Sequence, residues 1–252
     1  MATILLTGGT GRLGSELQSH LSLIAPGRSD LDIGNLAQVR EAIGTHKPDL
    51  IVHTAAYTDV AGAEADRATC WHVNVEGTRN IVKGALEFNV PMVHISTDYV
   101  FYGDTGNYLE TDPPGPVRNY YALTKLVAEE SVRVLPKHLI IRTSFRPKEW
   151  PYDMAFDDVY TSQDYVDVIA PEIELALQNF EAIPYNTLHI ATERKSVFEL
   201  AKRRKPDVER GSKAAVGVNL PDDCSLNTQR WQALKADLLK ADLLKADLKE
   251  RV

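Results

Sequence analysis

Two residues in the middle of the chain, Tyr121 and Lys125, have the types and spacing needed for proton transfer. They are four positions apart at the start of a helical pattern, so the phenol and the ammonium group share one helix face. A positive charge favours the phenolate form, so we expect Lys125 to lower the Tyr121 pKa from its usual value of about 10. Thr97, at the end of an apolar run, adds a hydroxyl to hold a substrate oxygen. The same spacing is also common in solvated helices without a catalytic role.

A glycine-rich turn near the N-terminus has the context of a dinucleotide-binding motif. Residues 3–7 predict a strand, and leucines spaced by four from Leu13 predict a helix. Between them, Gly8 permits a tight turn, Gly11 lets the backbone approach a pyrophosphate, and Gly14 lets the helix pack on the strand. We therefore expect a nucleotide cofactor here. The predicted contacts are Gly8, Thr10, Gly11, Arg12, Leu13 and Gly14.

The end of the second strand, expected over residues 22–25, distinguishes NAD from NADP. An acidic residue there would bond a free ribose 2′-hydroxyl, but no acid precedes Asp30. Arg28 and Ser29 are suited to a 2′-phosphate instead, so we favour NADP, with NAD possible. The alternative is that Arg28 is a solvated loop cation. The predicted cofactor contacts in this loop are Arg28, Ser29, Asp32 and Ile33.

Alternation of strands and helices predicts the fold class. Further strands are expected at residues 50–53, 90–95 and 138–142, with helices between them, one of them capped by Asn35. This order predicts an α/β fold with a doubly wound, parallel, Rossmann-type sheet. Because parallel crossovers are right-handed, the strand ends and the cofactor crevice lie at one edge of the sheet.

Three regions are expected along the chain. Residues 1–145 predict an NAD(P)-binding domain, and residues 146–232 a reduced substrate-binding region interleaved with the sheet. Residues 233–252 contain the repeat Leu-Lys-Ala-Asp-Leu and predict a terminal helix. A five-residue period rotates the leucines around the helix axis, so the helix is either partly exposed or packed on a neighbouring subunit.

The substrate-binding region carries a few local signals. Thr161-Ser162 predicts the N-cap of a helix that runs through about Leu177. The basic run 202–205 could face a diphosphate, although a solvated helix end is the favoured interpretation. Trp150 and Tyr152 lie in a proline-flanked loop and either cover a substrate or close the core.

Composition restricts the classes of protein to consider. The chain has 252 residues and a net charge of −7, which argues against a nucleic-acid partner. No apolar run reaches about 18 residues, so no membrane span is expected. Cys70 and Cys224 lack metal-site spacing, so we assign no metal site and favour a reducing compartment. We expect a soluble, cytoplasmic protein.

Together these residues resemble the extended short-chain dehydrogenase/reductase superfamily, and within it the dTDP-4-dehydrorhamnose reductase family. The resemblance rests on the glycine turn, on Ser96-Thr97-Asp98-Tyr99-Val100-Phe101, on Tyr121 with Lys125, and on Arg142-Thr143-Ser144. It is dense over residues 1–145 and patchy afterwards. The resemblance implies reduction of a 4-keto sugar nucleotide by NADP chemistry, a possible homodimer, and a catalytic triad of Thr97, Tyr121 and Lys125.

The resemblance also implies two sets of binding residues. The remaining residues expected at the cofactor are Thr54, Ala55, Ala56, Tyr57, Asn74 and Ser96, together with Tyr121 and Lys125. The residues expected at the substrate are Thr97, Asp98, Tyr99, Val100, Asn119 and Phe145.

The sequence leaves three functions open. The first is the NADP-dependent reductase, and the second is a sugar-nucleotide epimerase or dehydratase that recycles its cofactor. The third is a regulatory subunit that binds NADP without turnover. The triad favours chemistry, whereas Ala61-Gly62, in place of the family's Asp-Lys, and Phe145, in place of its Trp, favour a changed substrate or partner.

Overall fold

Strands and helices alternate along the chain in the structure, a computed structural model that describes residues 2–216 and 220–250. Its strands are β1 Ile4–Thr7, β2 Leu50–His53, β3 Met92–Thr97, β4 His138–Thr143, β5 Phe145–Arg146, β6 Met154–Phe156, β7 Tyr160–Thr161, β8 Asp164–Tyr165, β9 Thr187–His189, β10 Lys195–Ser196 and β11 Glu209–Gly211. Its α-helices are α1 Arg12–His20, α2 Leu36–His46, α3 Gly62–Ala65, α4 Arg67–Trp71, α5 Thr78–Phe88, α6 Tyr120–Val132, α7 Val166–Gln178, α8 Val197–Lys202, α9 Lys213–Val216 and α10 Gln229–Glu250. A π-helix, His72–Gly77, precedes α5, and a 3₁₀ turn, Asp98–Val100, follows β3.

The central sheet is parallel, as the sequence predicts. Within the described residues its strand order is β1-β2-β3-β4-β9. The pairs Thr7 with His53 and Thr97 with Thr143 place the carboxyl ends of the first four strands at one edge. Helices cover both faces: Leu17 and Ile173 belong to one buried cluster, whereas Ile43 and other residues form a second cluster on the opposite face.

The expected second strand over residues 22–25 is wrong in its extent. Only Ile24 pairs with β1, through a parallel bridge to Leu5 and hydrogen bonds to Ile4 and Leu6. Pro26 follows and has no N–H donor with which to extend the ladder. The chain nevertheless passes from the Ile24 side of β1 to β2 on its other side. This reversal creates a topological switch point, where open α/β sheets bind ligands.

The helix expected to begin at Thr161-Ser162 is also wrong in its start. The hydroxyl of Thr161 accepts a bond from the Gln163 N–H, and that of Ser162 accepts one from the Leu226 N–H. Both cap-forming side chains are therefore engaged in turns and tertiary contacts, and the helix starts at Val166. The Asn35 cap is confirmed, because its side chain accepts bonds from two backbone N–H groups at the start of α2.

The second half of the chain adds to the sheet and builds a smaller core. Strand β9 extends the central sheet beside β4, and α7 packs on α1. Trp150, Tyr165 and Leu200 belong to a separate buried cluster beside the strand ends. The repeat-containing segment forms α10, whose Trp231 is fully buried in the main core. Within the described parts of the chain, no helix is long and apolar enough to cross a membrane.

Candidate active site

A cleft of about 1100 Å³ lies at the carboxyl edge of the sheet. One end is formed by the glycine turn after β1 and by the residues that follow β2. The other end is formed by the residues that follow β3 and β4, the start of α6, and the smaller core. The topology thus brings the two sequence motifs, more than 80 residues apart, into one cavity.

The glycine turn is shaped as its spacing predicts. Gly8 has a φ of +77°, and a Cβ there would lie 2.6 Å from the Ala55 nitrogen. A Cβ on Gly14 would lie 2.3 Å from the Gly8 carbonyl oxygen, so α1 packs directly on the turn. Gly11 caps α1 without any side-chain hydrogen bond, which leaves the N–H groups of the first helical turn available to a ligand.

The loop after Ile24 supplies polar groups to the same end of the cleft. Arg28, Asp32 and Ile33 line the cavity, whereas Ser29 lies outside it, with its hydroxyl near the Asp30 carboxylate. Arg28 is exposed, and among residues 2–216 and 220–250 it makes no ion pair. Its guanidinium is therefore available to an anion that enters this end of the cleft.

The residues after β2 divide into lining and supporting groups. Thr54, Ala55 and Ala56 line the cleft, and the Thr54 hydroxyl donates a 2.7 Å bond to the Thr7 carbonyl. Tyr57 and Asn74, which the resemblance placed at the cofactor, lie outside the cavity lining. Asn74 is buried and bonded to both backbone groups of Tyr57 and to the Thr124 hydroxyl. It ties this loop to α6.

Two of the residues expected at the substrate also lie outside the cleft. Val100 is fully buried in a small apolar cluster with Phe101 and Leu226. Asn119 is the N-cap of α6, and its side chain accepts a 2.8 Å bond from the Ala122 N–H. Its role in the structure is to start the helix that carries the candidate catalytic side chains.

The expected triad comes together in the middle of the cleft. Thr97 ends β3, and Tyr121 and Lys125 lie on the first turns of α6. All three are buried side chains that line the cavity. The Thr97 hydroxyl lies beside the Tyr121 phenol and donates a 3.0 Å bond to the Asp98 carboxylate. Ser96, one residue earlier, also reaches the cavity.

The expected lowering of the Tyr121 pKa by Lys125 is wrong for the protein alone. Burial raises the pKa of the Tyr121 phenol, and the charge of Asp98 raises it further. The Lys125 ammonium instead donates to the Ile95 carbonyl at 2.7 Å and approaches the ring of His94 at 3.4 Å. The i, i+4 spacing fixes the shared helix face, but it does not determine which group the flexible Lys side chain bonds.

Lys125 lies beside two stacked, buried histidines, His94 and His53. Burial lowers its own pKa to about 8, opposed by the negative charge of Glu129. His53 and His94 stack at 5.3 Å, and burial followed by the Lys125 charge lowers the pKa of His53 to about 3. His53 also bonds the hydroxyls of Thr7 and Thr78, so it is a packed strand residue.

The substrate end of the cleft contains the expected Asp98 and Phe145, together with Ser144 and Arg146, which the sequence patterns did not place at the site. Asp98 is fully buried, and burial raises its pKa to about 6, opposed by hydrogen bonds from Thr97 and Ser144. Phe145 and Arg146 follow β4 and also line the cavity. Ser144 and Arg146 lie just after β4, and this position at the carboxyl end of a parallel strand was the available signal.

The proline-flanked loop that contains Trp150 and the segment that contains Cys224 close this end of the cleft. Trp150 and Tyr152 both line the cavity, and their rings meet edge to face at 5.6 Å. Cys224 also lines it, and burial raises the pKa of its thiol. Tyr108 bridges to Leu226, which positions the segment containing Cys224. No short-range pattern predicts that pairing across more than 100 residues.

The basic run 202–205 lies away from the cavity. Arg203 bonds Asp164 at 2.6 Å, Arg204 bonds Asp167 at 2.8 Å, and other members of the run form further polar contacts. These contacts favour the interpretation of residues 202–205 as a solvated helix end over their interpretation as a diphosphate site.

Comparison with known proteins assigns the chain that forms this cleft to a family. The model of the RmlD substrate binding domain matches residues 1–155, which include the glycine turn and all three members of the triad. The chain belongs to the RmlD substrate-binding-domain family. It shares with that family an extended short-chain dehydrogenase/reductase architecture.

Several curated relatives of this RmlD-family chain are named dTDP-4-dehydrorhamnose reductase. It is 38% identical over 153 residues to a dTDP-4-dehydrorhamnose reductase of Aggregatibacter actinomycetemcomitans, covering 58% of this chain and 52% of the relative. It is 40% identical over 149 residues to the Streptomyces griseus enzyme of the same name, covering 56% and 49%. The matched segment thus spans about half the length of these curated relatives.

A solved structure of the RmlD family aligns over most of the chain. The dTDP-4-dehydrorhamnose reductase of Bacillus anthracis, in complex with NADP, superposes with a TM-score of 0.82 at 28% identity. The alignment covers 92% of each chain. The overall path of the second half is therefore shared, whereas the matches to the two curated relatives above cover 58% and 56% of this chain.

Proposed function

We propose that this chain is an NADP-dependent reductase of a 4-keto sugar nucleotide. The observation that carries the proposal is the single cleft that joins the glycine turn to Thr97, Tyr121 and Lys125. Membership of the RmlD family supports it, as do relatives named dTDP-4-dehydrorhamnose reductase and the NADP complex of the B. anthracis enzyme.

The residues at one end of the cleft fit a dinucleotide. The uncapped N–H groups at the start of α1 suit a pyrophosphate, and the close-packed Gly8 and Gly14 keep that approach open. Arg28 is suited to a ribose 2′-phosphate, since no acidic residue precedes Asp30 in the loop after Ile24. Ala55 and Ala56 add small side chains beside the turn. When bound there, NADPH would supply a hydride to the ketone carbon.

Tyr121 is the proton donor in this proposal. The raised pKa keeps the phenol protonated near neutral pH, which is the state that an acid requires. Negative charge develops on the ketone oxygen during reduction, and the phenol O–H bond breaks as the new alcohol O–H bond forms. The phenolate then regains its proton from solvent. Burial thus disfavours the phenolate form of Tyr121 and favours the protonated form that can donate.

Thr97 and Lys125 position the reacting groups. The Thr97 hydroxyl lies beside the phenol and can bond the same ketone oxygen, which orients it toward the acid. Lys125 would hold the nicotinamide ribose and stabilise the phenolate by its charge. With its pKa near 8, Lys125 is largely protonated at neutral pH, so that charge is present.

Arg28 provides a test of cofactor choice. We expect Arg28→Gln to weaken NADPH binding about 10- to 100-fold, because a charge-assisted bond to the 2′-phosphate is lost. NADH lacks that phosphate, so its dissociation constant should not change. Both constants are measured by fluorescence titration.

Arg40→Gln is the matched control for this substitution. Arg40 is exposed, pairs with Glu87 at 2.7 Å, and lies on α2 away from the cleft. It should leave both dissociation constants unchanged. An equal loss of NADPH and NADH affinity in Arg28→Gln would remove the 2′-phosphate assignment.

Consumption of the cofactor distinguishes the proposal from its alternatives. With a dTDP-4-keto-6-deoxy sugar, a reductase oxidises one NADPH for each sugar reduced. An epimerase or dehydratase would form product at constant cofactor absorbance, and a regulatory subunit would bind NADPH and form none. A homodimer and a cytoplasmic location stay predictions of the sequence.

A further inference from the structure

Two hydrogen-bond donors in the substrate end of the cleft are buried without a partner. They are Nε of Arg146 and Nε1 of Trp150, both of which belong to residues that line the cavity. Buried polar groups in native proteins are almost always hydrogen-bonded, so each unpaired donor requires an explanation. Both groups donate only, which means that their missing partner must bring acceptor atoms.

Arg146 also carries a charge without a counter-ion. Within residues 2–216 and 220–250 it makes no ion pair, whereas Arg194 and Arg203 in the same half bond Asp223 and Asp164 at 2.6 Å. A guanidinium is charged at every pH that the protein meets. A partly buried charge is costly unless it is paired, so Arg146 favours a ligand with negative charge.

The neighbouring rings fix the place of this charge. The guanidinium carbon lies 5.4 Å from the centre of the Trp150 ring, and Trp150 in turn contacts Tyr152. The Arg146 charge also acts on Tyr99, opposing the burial that raises that phenol's pKa. Arg146 therefore lies between the aromatic wall of the cleft and the residues that follow β3, with aromatic faces available to a base or sugar.

The other described arginines and lysines that line the cavity lie at its opposite end or already donate a hydrogen bond. Arg12 and Arg28 lie at the glycine-turn end, and Lys125 donates to the Ile95 carbonyl. Among the described lining residues, Arg146 is thus the cation of the substrate end.

We propose that Arg146, held against Trp150, binds the diphosphate of the nucleotide sugar. The inference rests on the proposed function for the identity of the ligand. A diphosphate supplies several acceptor oxygens and matches the planar fork of a guanidinium. The Trp150 indole N–H adds a donor from the same wall.

Binding of dTDP to the NADPH-saturated protein tests this site, because the bound cofactor occupies the other phosphate-binding end. We expect Arg146→Gln to weaken dTDP binding about 10- to 100-fold by calorimetry, through loss of a charge-assisted contact. Thymidine, which has no phosphate, should bind both proteins alike. Arg146→Lys should give an intermediate dTDP affinity, since it retains the charge but not the fork.

Lys148→Gln is the matched control. Lys148 is an exposed cation two residues further along the chain, and it pairs with Glu16 at 2.8 Å outside the cleft. It should bind dTDP like the wild type. Unchanged dTDP affinity in Arg146→Gln, or an equal loss for dTDP and thymidine, would overturn the inference. If Arg146→Gln does not fold, the dTDP-to-thymidine ratio of Arg146→Lys decides, and an unchanged ratio overturns it.

Two further results separate this inference from related ones. Competition by glucuronate that depends on Arg146, without any dependence for dTDP, would assign the site to a sugar carboxylate and contradict the diphosphate. If dTDP binding depends on Arg146 but no keto sugar is reduced, the diphosphate site stands and the proposed reductase activity fails.

Discussion

Tyr121→Phe should reduce the rate of NADPH-dependent ketone reduction by about 10²- to 10⁴-fold, the usual contribution of a positioned general acid. The substitution removes only the phenolic oxygen, and the ring still fills its buried position on α6. The glycine turn and the loop that carries Arg28 are untouched, so the dissociation constant of NADPH should be largely unchanged. Steady-state kinetics and fluorescence titration measure the two quantities on the same preparation.

Tyr120→Phe provides the matched control, since it makes the same chemical change one residue away. Tyr120 stacks with the Arg67 guanidinium at 5.0 Å and does not line the cleft. It should retain activity. Full activity in Tyr121→Phe would exclude the phenol as the acid. Loss of NADPH binding together with the loss of activity would make the role of Tyr121 structural.

Glu129→Gln should lower the free energy of unfolding by about 3–5 kcal/mol, because it leaves a buried arginine without its counter-ion. Glu129 on α6 and Arg142 on β4 are fully buried, with contacts of 2.8 and 3.0 Å, and the Ser96 hydroxyl donates a further 2.6 Å bond to Glu129. The network fastens the helix one turn beyond Lys125 to the strands that carry the cleft. Urea unfolding measures the change.

A double substitution shows whether the lost stability comes from leaving the Arg142 charge buried without its counter-ion. Glu129→Met with Arg142→Met removes both charges, so we expect the double variant to lose less stability than the sum of the two single variants. Glu130→Gln, at an exposed neighbouring carboxylate, should change stability by less than about 0.5 kcal/mol. Wild-type stability in Glu129→Gln would show that the pair contributes nothing to the fold.

The sequence predicts the cofactor half of the site because its signals are local. A strand, a glycine turn and a helix follow one another within residues 4–20, and the strand order then places the ends of β2 and β3 beside that turn. Tyr121 and Lys125 share a helix face by their spacing alone. Patterns of this kind need no knowledge of distant contacts.

The remaining parts depend on contacts between segments far apart in the chain. Thr161 has the chemistry of a helix cap, but its strand pairs with β10 and its hydroxyl serves a turn. The Tyr121 pKa depends on burial and on Asp98 rather than on the helical neighbour Lys125. Arg146 could be seen as a charge after a strand, but its lack of a partner appears only once the cleft is assembled.

Transfer of deuterium from NADPH that carries the label at both hydrogen positions of nicotinamide C4 tests the proposed hydride transfer to the sugar ketone. The protein is mixed with one equivalent of dTDP-4-keto-6-deoxy sugar, and the product is examined by mass spectrometry and NMR. We expect one deuterium at the sugar carbon that carried the ketone and one NADPH oxidised per product. Tyr121→Phe should form no such product in the time that the wild type needs to convert its substrate. A changed sugar without deuterium, or a labelled cofactor that is bound but never oxidised, would contradict it.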